Sequence, residues 1–335
     1  MVLAMIYCHF VAAHLNMKQL KSGFLALSVV GVITISLLTV LGFFGLNSYL
    51  LDLTTHFHFQ YAIGSALLAG IFLLYRKPLL TVFATFGLIV QLTFLLPYYF
   101  QPDVQATQLS QVTETQLLFS NLNYGTTDFA PLIKEVQSYQ PELVGIVELP
   151  QDHYDTLVND LPEYPYHYHI PGRARLGLAL FSKIEFVNDP TVQYWADDRF
   201  PSIIAQIKDQ ESNQILTIVI VHPPPPITSD YETARNAIFT GIANFAKTQT
   251  DPVVVAGDFN STSWSPAFQD LLSDQALVDS RNNQGLQPSW PSQLPKIFRI
   301  PIDHVLVSHQ VNVLHRQLLP SVGSDHLPVL VDFSW

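Results

Sequence analysis

Three long stretches without a charged side chain constrain the fold of this chain more than any other feature. They run from Phe24 to Leu46, from Phe59 to Tyr75 and from Leu79 to Phe100. A helix needs roughly 20 apolar residues to cross about 30 Å of hydrocarbon, and the stretches are about that long. A buried helical core would also be apolar, but three such stretches in succession disfavour it, and a cleaved signal peptide would explain only the first. We therefore expect a three-helix membrane anchor over residues 24–100.

The few cations near these stretches predict their orientation. Lys18 and Lys21 precede the first stretch, Arg76 and Lys77 lie between the second and third, and residues 47–58 contain no Lys or Arg. The positive-inside rule places residues 1–23 and the 76–78 turn in the cytoplasm. Three crossings then leave the C-terminal part outside the cell inner (cytoplasmic) membrane, so the sequence predicts a multi-pass membrane protein.

The composition changes near residue 101. The first 100 residues carry five charged side chains, whereas the remainder holds 12 Lys or Arg and 26 Asp or Glu, a net charge of 12 − 26 = −14. The only cysteine, Cys8, precedes the first span, so the exported part has no disulfide and no thiolate metal ligand. Residues 101–114 read as a polar linker, and residues 115–335 are numerous enough to form a folded domain.

Short apolar runs bounded by Gly, Pro, Asn or Asp recur in this domain and predict strands. The runs are Gln116–Ser120, Leu143–Val147, Leu178–Ser182, Ile203–Ile207, Ile215–Val221, Val253–Ala256, His304–Val307 and Leu327–Phe333. Helices are predicted after a capping box formed by Ser229 and Glu232, after Ser265–Pro266, and over Thr127–Tyr139. Many strands with few helices favour an α/β fold of two packed sheets flanked by helices.

Polar side chains follow several of these runs at the point where each strand should end. In VVVAGDFNST, Asp258 and Asn260 are two residues apart and would face the same way in an extended chain, although Gly-Asp-x-Asn is also a turn sequence. The other positions are Asn121 with Asn123, Glu148 and His222 at the ends of runs, and Asp303 and Asp325 with His326 just before the last two runs. Open α/β folds bind ligands at strand ends, so these residues predict one shared site.

The motifs SNLN, VGIVE, IVIVH, GDFN, IDHVL and SDHLPV, in that order, resemble the endonuclease/exonuclease/phosphatase superfamily over residues 115–335. The longer sequences GDFNSTSWSPAFQDLL and GLQPSWP resemble its bacterial membrane-anchored branch. The resemblance implies a four-layer α/β sandwich, of two mixed sheets flanked by helices, that hydrolyses phosphoesters with a divalent cation.

The resemblance also implies roles for individual residues. The catalytic set would be Asp258 for the attacking water, Asn260 on the phosphate, His326 on the scissile phosphate, Asp303 bonded to that histidine, and His222. The metal set would be Glu148, with Asn121 close by and Asp325 near the metal, and Asn121 and Asn260 would also contact substrate. Oxygen ligands favour Mg²⁺, with Mn²⁺ possible. Asn123 stands where apurinic endonucleases have an acid, so a second metal is in doubt. Arg175 is either a substrate contact or a solvated surface residue.

The net charge of the domain bears on its substrate. Proteins that grip nucleic acids usually carry basic patches, which a domain at −14 lacks in bulk. A small phosphodiester or a lipid headgroup beside the bilayer is therefore favoured over nucleic acid, and no protein partner can be inferred. The sequence thus predicts a membrane-anchored, metal-dependent phosphodiesterase. A nuclease of the same fold and a catalytically idle binding or scaffold domain are the alternatives.

Overall fold

The computed structural model describes residues 2–100, 113–172, 174–210 and 212–335, in two compact units. The first unit comprises Met1–Leu41 and Phe57–Leu95, and the second comprises Gly42–His56 and Leu96–Trp335. Residues Gly42–His56, which connect the first two apolar stretches in sequence, therefore fold with the second unit.

The helices and the strands of the described residues are numbered separately, each in chain order. The helices are α1 (Val2–Gly42), α2 (Tyr49–Asp52), α3 (His58–Leu74), α4 (Pro78–Leu95), α5 (Ala130–Tyr139), α6 (Gln151–Asp160), α7 (Ser229–Thr248) and α8 (Pro266–Leu272). The strands are β1 (Glu114–Asn121), β2 (Leu143–Val147), β3 (Tyr166–Ile170), β4 (Leu178–Ser182), β5 (Thr191–Tyr194), β6 (Pro201–Lys208), β7 (Ile215–Val221), β8 (Val253–Asp258), β9 (Val278–Asp279), β10 (Asp303–Val307), β11 (Asn312–Leu318) and β12 (Val329–Ser334).

The first unit consists of apolar helices. The ranges Met17–Gly42, Tyr49–Leu74 and Pro78–Tyr98 are long and apolar enough to cross a membrane, which confirms the prediction of three such helices. Large apolar side chains on them face outward, among them Leu27 and Val82. A helix that is apolar on its outer face suits a lipid environment, where exposure carries no hydrophobic cost.

The second unit contains two six-stranded sheets. Their strand orders are β11-β12-β1-β2-β4-β3 and β5-β6-β7-β8-β10-β9. β1 and β2 are parallel, as are β7 and β8, and the other pairs between strands are antiparallel. Both sheets are thus mixed, as the sequence predicts.

Apolar side chains on both faces of the central strands build the layers. In β7, Ile218 and Ile220 pack into the core shared by the two sheets, whereas Val219 and Val221 pack with residues of α7 and α8. Residues of α5 and α6 pack on the outer face of the first sheet. Because such strands are buried on both faces, they appear in the sequence as continuous apolar runs. The four-layer α/β sandwich is confirmed.

The eight predicted strands are all present, and three have the predicted bounds: β2, β4 and β7. The start of α7 differs by one residue. Its N-cap is Thr228, whose hydroxyl accepts a hydrogen bond from the Tyr231 N–H, so Ser229 is the first helical residue. A Thr-Ser pair offers two capping hydroxyls, and the sequence alone does not separate them.

Candidate active site

Strand register brings the predicted site residues to one edge of the sandwich. Asp258 and Asp303 are direct partners in the antiparallel pair of β8 and β10. Val221 pairs with Gly257, so His222 emerges beside Asp258. A Cβ on Gly257 would lie only 2.3 Å from the Val221 carbonyl oxygen, so the close approach of these strands requires glycine.

The first sheet contributes the other half of the site by the same means. Asn121 pairs with Val147 in the parallel pair of β1 and β2, which places Glu148 next to Asn121. Glu148 has φ +59°, a left-handed conformation that is uncommon for a residue with a side chain. Strained backbone of this kind persists where the surroundings enforce it, and it concentrates at functional sites.

His326 and Asp303 form a buried pair at the centre of this edge. The His326 Nδ1 lies 2.9 Å from Asp303 Oδ2 and 3.1 Å from Oδ1, and both residues are buried. A carboxylate only accepts, so Nδ1 carries a proton and Nε2 is directed elsewhere. That Nε2 lies 3.6 Å from Asp258 Oδ2. Arg316 donates to the carbonyl oxygen of Asp303 and fixes its backbone.

The charges of this group set two unusual pKa values. Burial acts to lower the pKa of His326, but the carboxylates of Asp303 and Asp258 outweigh it and raise this pKa to about 10. Burial raises the pKa of Asp258 to about 6, with His326 acting in the opposite direction. At neutral pH the histidine is therefore cationic and the aspartate mostly ionised.

Asn121 links the two carboxylates on either side of the site. Its Nδ2 donates to Glu148 Oε1 at 3.2 Å and to Asp258 Oδ2 at 3.0 Å, while its Oδ1 accepts from the Asn123 N–H at 2.8 Å. The amide therefore presents N–H groups rather than its oxygen. This orientation directs the amide N–H groups toward both carboxylates.

His222 and Asn260 flank Asp258. The His222 Nε2 lies 3.6 Å from Asp258 Oδ2 and 3.9 Å from Glu148 Oε1. Asn260 has φ +49°, donates its backbone N–H to Asp258 Oδ1, and donates its Nδ2 to the Pro223 carbonyl at 3.0 Å. All five predicted catalytic residues thus meet in one place.

Asp325 lies in a separate group of contacts. Its Oδ1 accepts from Asn123 Nδ2 at 2.9 Å, and its Oδ2 accepts from Trp290 Nε1 at 3.2 Å. The Trp290 ring is also 6.4 Å from that of His326, centroid to centroid. Trp290 lies within the motif GLQPSWP, and the sequence assigned it no role. The structure shows that it donates a hydrogen bond to Asp325.

Arg175 lies at the exposed rim. Its guanidinium lies 5.3 Å from the ring centroid of Tyr124, whose backbone N–H donates to Glu148 Oε2 at 3.2 Å. A cation on an aromatic face is held weakly at an exposed position. The sequence did not predict Tyr124 as a site residue. The only feature that points to it is its position directly after the motif SNLN.

The donor set fits a hard divalent cation. Glu148 offers a carboxylate at the edge between the sheets, and Asp258, Asp303 and His326 each offer one atom within 4.8 Å of the others. His326 is protonated and hydrogen-bonded to Asp303, so it is not a free ligand. The available ligands are therefore carboxylate oxygens, such as those of Glu148 and Asp258. Oxygen ligands suit Mg²⁺ or Mn²⁺ better than softer metals.

Comparison with known proteins identifies the family of the chain. The sequence model of the Endonuclease/Exonuclease/phosphatase family matches residues 118–326, and the chain belongs to this family. A UPF0294 protein of Vibrio cholerae serotype O1 is 36% identical over 107 residues, which are 32% of this chain and 34% of that protein. The chain therefore matches about a third of the length of this curated relative.

Solved structures share the fold. An endonuclease/exonuclease/phosphatase family protein from Bacteroides thetaiotaomicron has a TM-score of 0.57 and 17% identity, over 67% of this chain and 96% of that one. A mannosyl-6-phosphatase from the same species has a TM-score of 0.56 and 15% identity, over 66% and 100%. D. rerio TDP2 complexed with a single-strand DNA product has a TM-score of 0.54 and 16% identity, over 66% and 99%.

Proposed function

We propose that this protein is a membrane-anchored, divalent-metal-dependent phosphodiesterase that cleaves its substrate by attack of an activated water. The arrangement of Asp258, His326 and Asp303 carries the proposal. It combines an ionised carboxylate with an imidazolium held by a second carboxylate. A purely structural pair would not require an additional buried carboxylate facing the same imidazole.

Each residue has a defined part in the proposed reaction. Asp258 takes a proton from water as the new P–O bond forms, which its pKa of about 6 permits at neutral pH. His326 holds a phosphate oxygen with its Nε2–H and stabilises the charge that develops there as the bond to the leaving oxygen breaks. Asp303 fixes the tautomer and orientation of His326.

The remaining residues bind and orient the substrate. Asn121 and Asn260 present amide N–H groups near Asp258, and His222 lies against the same carboxylate. Glu148 would hold the cation, Mg²⁺ or Mn²⁺, which when bound neutralises charge on the phosphate oxygens. Asp325 is a further carboxylate near the predicted metal position, and Arg175 would meet the substrate at the rim.

The acidic surface supports a small phosphodiester or a lipid headgroup as substrate. With a net charge of −14 after residue 100, bulk attraction for a polyanion is weak. Nuclease activity is the second candidate, since TDP2, a protein of the same fold, is complexed with single-strand DNA. The complete set of site residues disfavours an idle scaffold, because a binding module does not need them all.

The full chain, purified in phospholipid nanodiscs with Mg²⁺, tests the activity. The panel comprises duplex DNA, RNA, sphingomyelin, phosphoinositides and a chromogenic phosphodiester. We expect hydrolysis of a diester that is abolished by chelator and mostly lost in Glu148→Ala, which should also bind Mg²⁺ more weakly. Exposed His309, replaced by Gln, is the control. Full activity of Glu148→Ala, or of wild type in excess chelator, would exclude this mechanism.

The proposed location is the inner membrane with the catalytic unit on the extracytoplasmic side. It is supported by Lys18, Lys21, Arg76 and Lys77, which are the cations of the first 100 residues. A periplasmically active reporter fused after Trp335 should be active. A fusion active only as a cytoplasmic reporter would reverse the orientation.

A further inference from the structure

The loop Gly42–His56 belongs to the second unit and makes a buried ion pair there. Asp52 Oδ2 lies 2.6 Å from Arg235 Nη1 of α7, and both side chains are buried although 183 residues separate them in sequence. Glu232 of α7 also accepts a hydrogen bond from the Tyr49 backbone. A buried ion pair is costly to break, because removal of one partner leaves the other charge uncompensated.

The same loop contacts the segment that follows the catalytic aspartate, residues Ser261–Ser265. The Ser265 hydroxyl donates to Asp52 Oδ1 at 2.7 Å. His56 Nδ1 lies 3.0 Å from the Thr262 hydroxyl, and 3.4 Å from its backbone nitrogen. Gly45 approaches Pro266 so closely that a Cβ on Gly45 would lie 3.2 Å from the proline ring. The loop therefore packs along this segment at several points.

These contacts supply hydrogen-bond partners for the buried hydroxyls of Thr262 and Ser265. Ser261, Thr262, Ser263 and Ser265 are nearly inaccessible to solvent, which is unusual for four polar residues in one short segment. Ser265 is the N-cap residue of α8, but its side chain makes no capping bond and its hydroxyl donates to Asp52. The side chain of Ser265 thus bonds to the loop Gly42–His56 rather than to the backbone of α8.

Tyr98 adds a contact from a second part of the chain. Its hydroxyl bonds to Ser263, and its ring lies 4.7 Å from the guanidinium of Arg281. Ser263 also bonds to Arg281. Residues before the predicted second span and at the end of the predicted third span therefore hold the Ser261–Ser265 segment.

We infer that Asp52 is a positioning residue of the active site, which holds the Ser261–Ser265 segment and, through it, Asp258 and Asn260. The link is short, because Asn260, which has φ +49° and donates its backbone N–H to Asp258 Oδ1, immediately precedes the segment. A displacement of about 1 Å at a catalytic group can reduce the rate about 100-fold. The inference rests on the hydrolase function proposed above.

The inference predicts that the loop controls catalysis as well as stability. In full-length protein in nanodiscs, Asp52→Asn should lower kcat about 10- to 100-fold because Asp258 is displaced, and it should raise KM because Asn260 is displaced with it. Ser265→Ala, which removes one hydroxyl and leaves the ion pair, should lower kcat several-fold. Asp270→Asn and Ser273→Ala, exposed positions of the same helix region, are the matched controls.

Amide hydrogen exchange gives a readout that does not depend on activity. Asp52→Asn and Ser265→Ala should raise exchange across residues 258–265 while β7 and β12 keep wild-type protection. If Asp52→Asn lowers the unfolding temperature but leaves kcat and this exchange unchanged, Asp52 only stabilises the fold and the inference is wrong. If wild type hydrolyses no ester, the proposed function fails, and the exchange of residues 258–265 still decides whether Asp52 holds the segment.

Discussion

β10 presents two consecutive residues to opposite faces, and each joins a buried histidine–aspartate cluster. Asp303 pairs with His326 at the site, whereas His304 lies 3.6 Å from Asp279 on the other face. The second cluster also contains Arg281, whose guanidinium is paired with Asp279. Both clusters contain a buried histidine–aspartate pair, and they differ in the third charged member, which is Arg281 in one cluster and a second carboxylate, Asp258, in the other.

The two histidines have opposite charge states. Burial and the neighbouring Arg281 lower the pKa of His304, so this ring is neutral and donates its Nε2–H to the Ser261 carbonyl. Burial acts to raise the pKa of Asp279, but Arg281 and His304 outweigh it and hold this pKa well below its usual value. At the site Asp303 and Asp258 face His326 without such an arginine, and the imidazole is cationic. With Arg281 beside it, His304 carries no charge and belongs to a structural cluster. His326, which faces two carboxylates, keeps its second ring proton, and this proton can take part in a reaction.

The largest expected effect tests the structural cluster. Arg281→Met leaves the Asp279 carboxylate buried without its cation, and breaking a buried pair in this way costs about 3–5 kcal/mol. Urea unfolding of the second unit within the full chain should show this loss. Arg299→Met, at a more exposed position, is the comparison. An Arg281→Met protein as stable as wild type would show that the ion pair is not what holds this cluster.

Removal of the site pair should instead affect the rate. His326→Ala deletes charge stabilisation in the transition state, which corresponds to about 10²–10³ in kcat/KM. Residues that act as a unit lose activity non-additively, so Asp303→Ala/His326→Ala should be scarcely slower than His326→Ala. Kinetics of wild type, both single variants and the double variant, each verified as folded, measure this. If the two losses multiply, the residues act independently.

His304→Ala provides the matched histidine in the other cluster. It removes a hydrogen bond to the Ser261 carbonyl and ring contacts with Phe268 and Phe259, so we expect a loss of about 2–4 kcal/mol in stability. Because His304 does not face the reacting groups, the pH dependence of kcat/KM should keep its wild-type shape. A shift in that profile would place His304 in the catalytic proton network.

Local sequence pattern predicted the composition of the site but not all of its contacts. Asp303 and Asp258 were identifiable because each lies at the end of a continuous apolar run, where strand register then places them opposite each other. His304 lies on the face opposite to Asp303, as the two-residue period of a strand requires. Long-range pairs such as Asp52 with Arg235 leave no local signal, since neither residue belongs to a motif.

Elements with weak apolar patterns were also missed. β5 and β11 are partly exposed strands whose residues do not form an apolar run, and α6 has a polar sequence with one buried leucine, Leu157. The orientation of the Asn121 amide depends on the Asn123 N–H, a contact that a linear pattern cannot specify. Sequence therefore predicts residues that are buried in strands better than those held by tertiary hydrogen bonds.

The pH dependence of activity provides the finest test of the contrast between the clusters. Asp258 must be ionised to accept a proton, so kcat/KM should rise as pH increases through about 6. His326 must be protonated, so kcat/KM should fall as pH increases through about 10. In Asp303→Asn the carboxylate that raises both pKa values is removed, so both limbs should move to lower pH. The alkaline limb should move by at least about one unit, which corresponds to about 1.4 kcal/mol.

Profiles on a chromogenic diester, with exposed Asp270→Asn as control, measure the shift. An alkaline limb that stays at its wild-type position in Asp303→Asn would mean that Asp303 does not set the charge of His326, and the distinction between the two clusters would then need another cause.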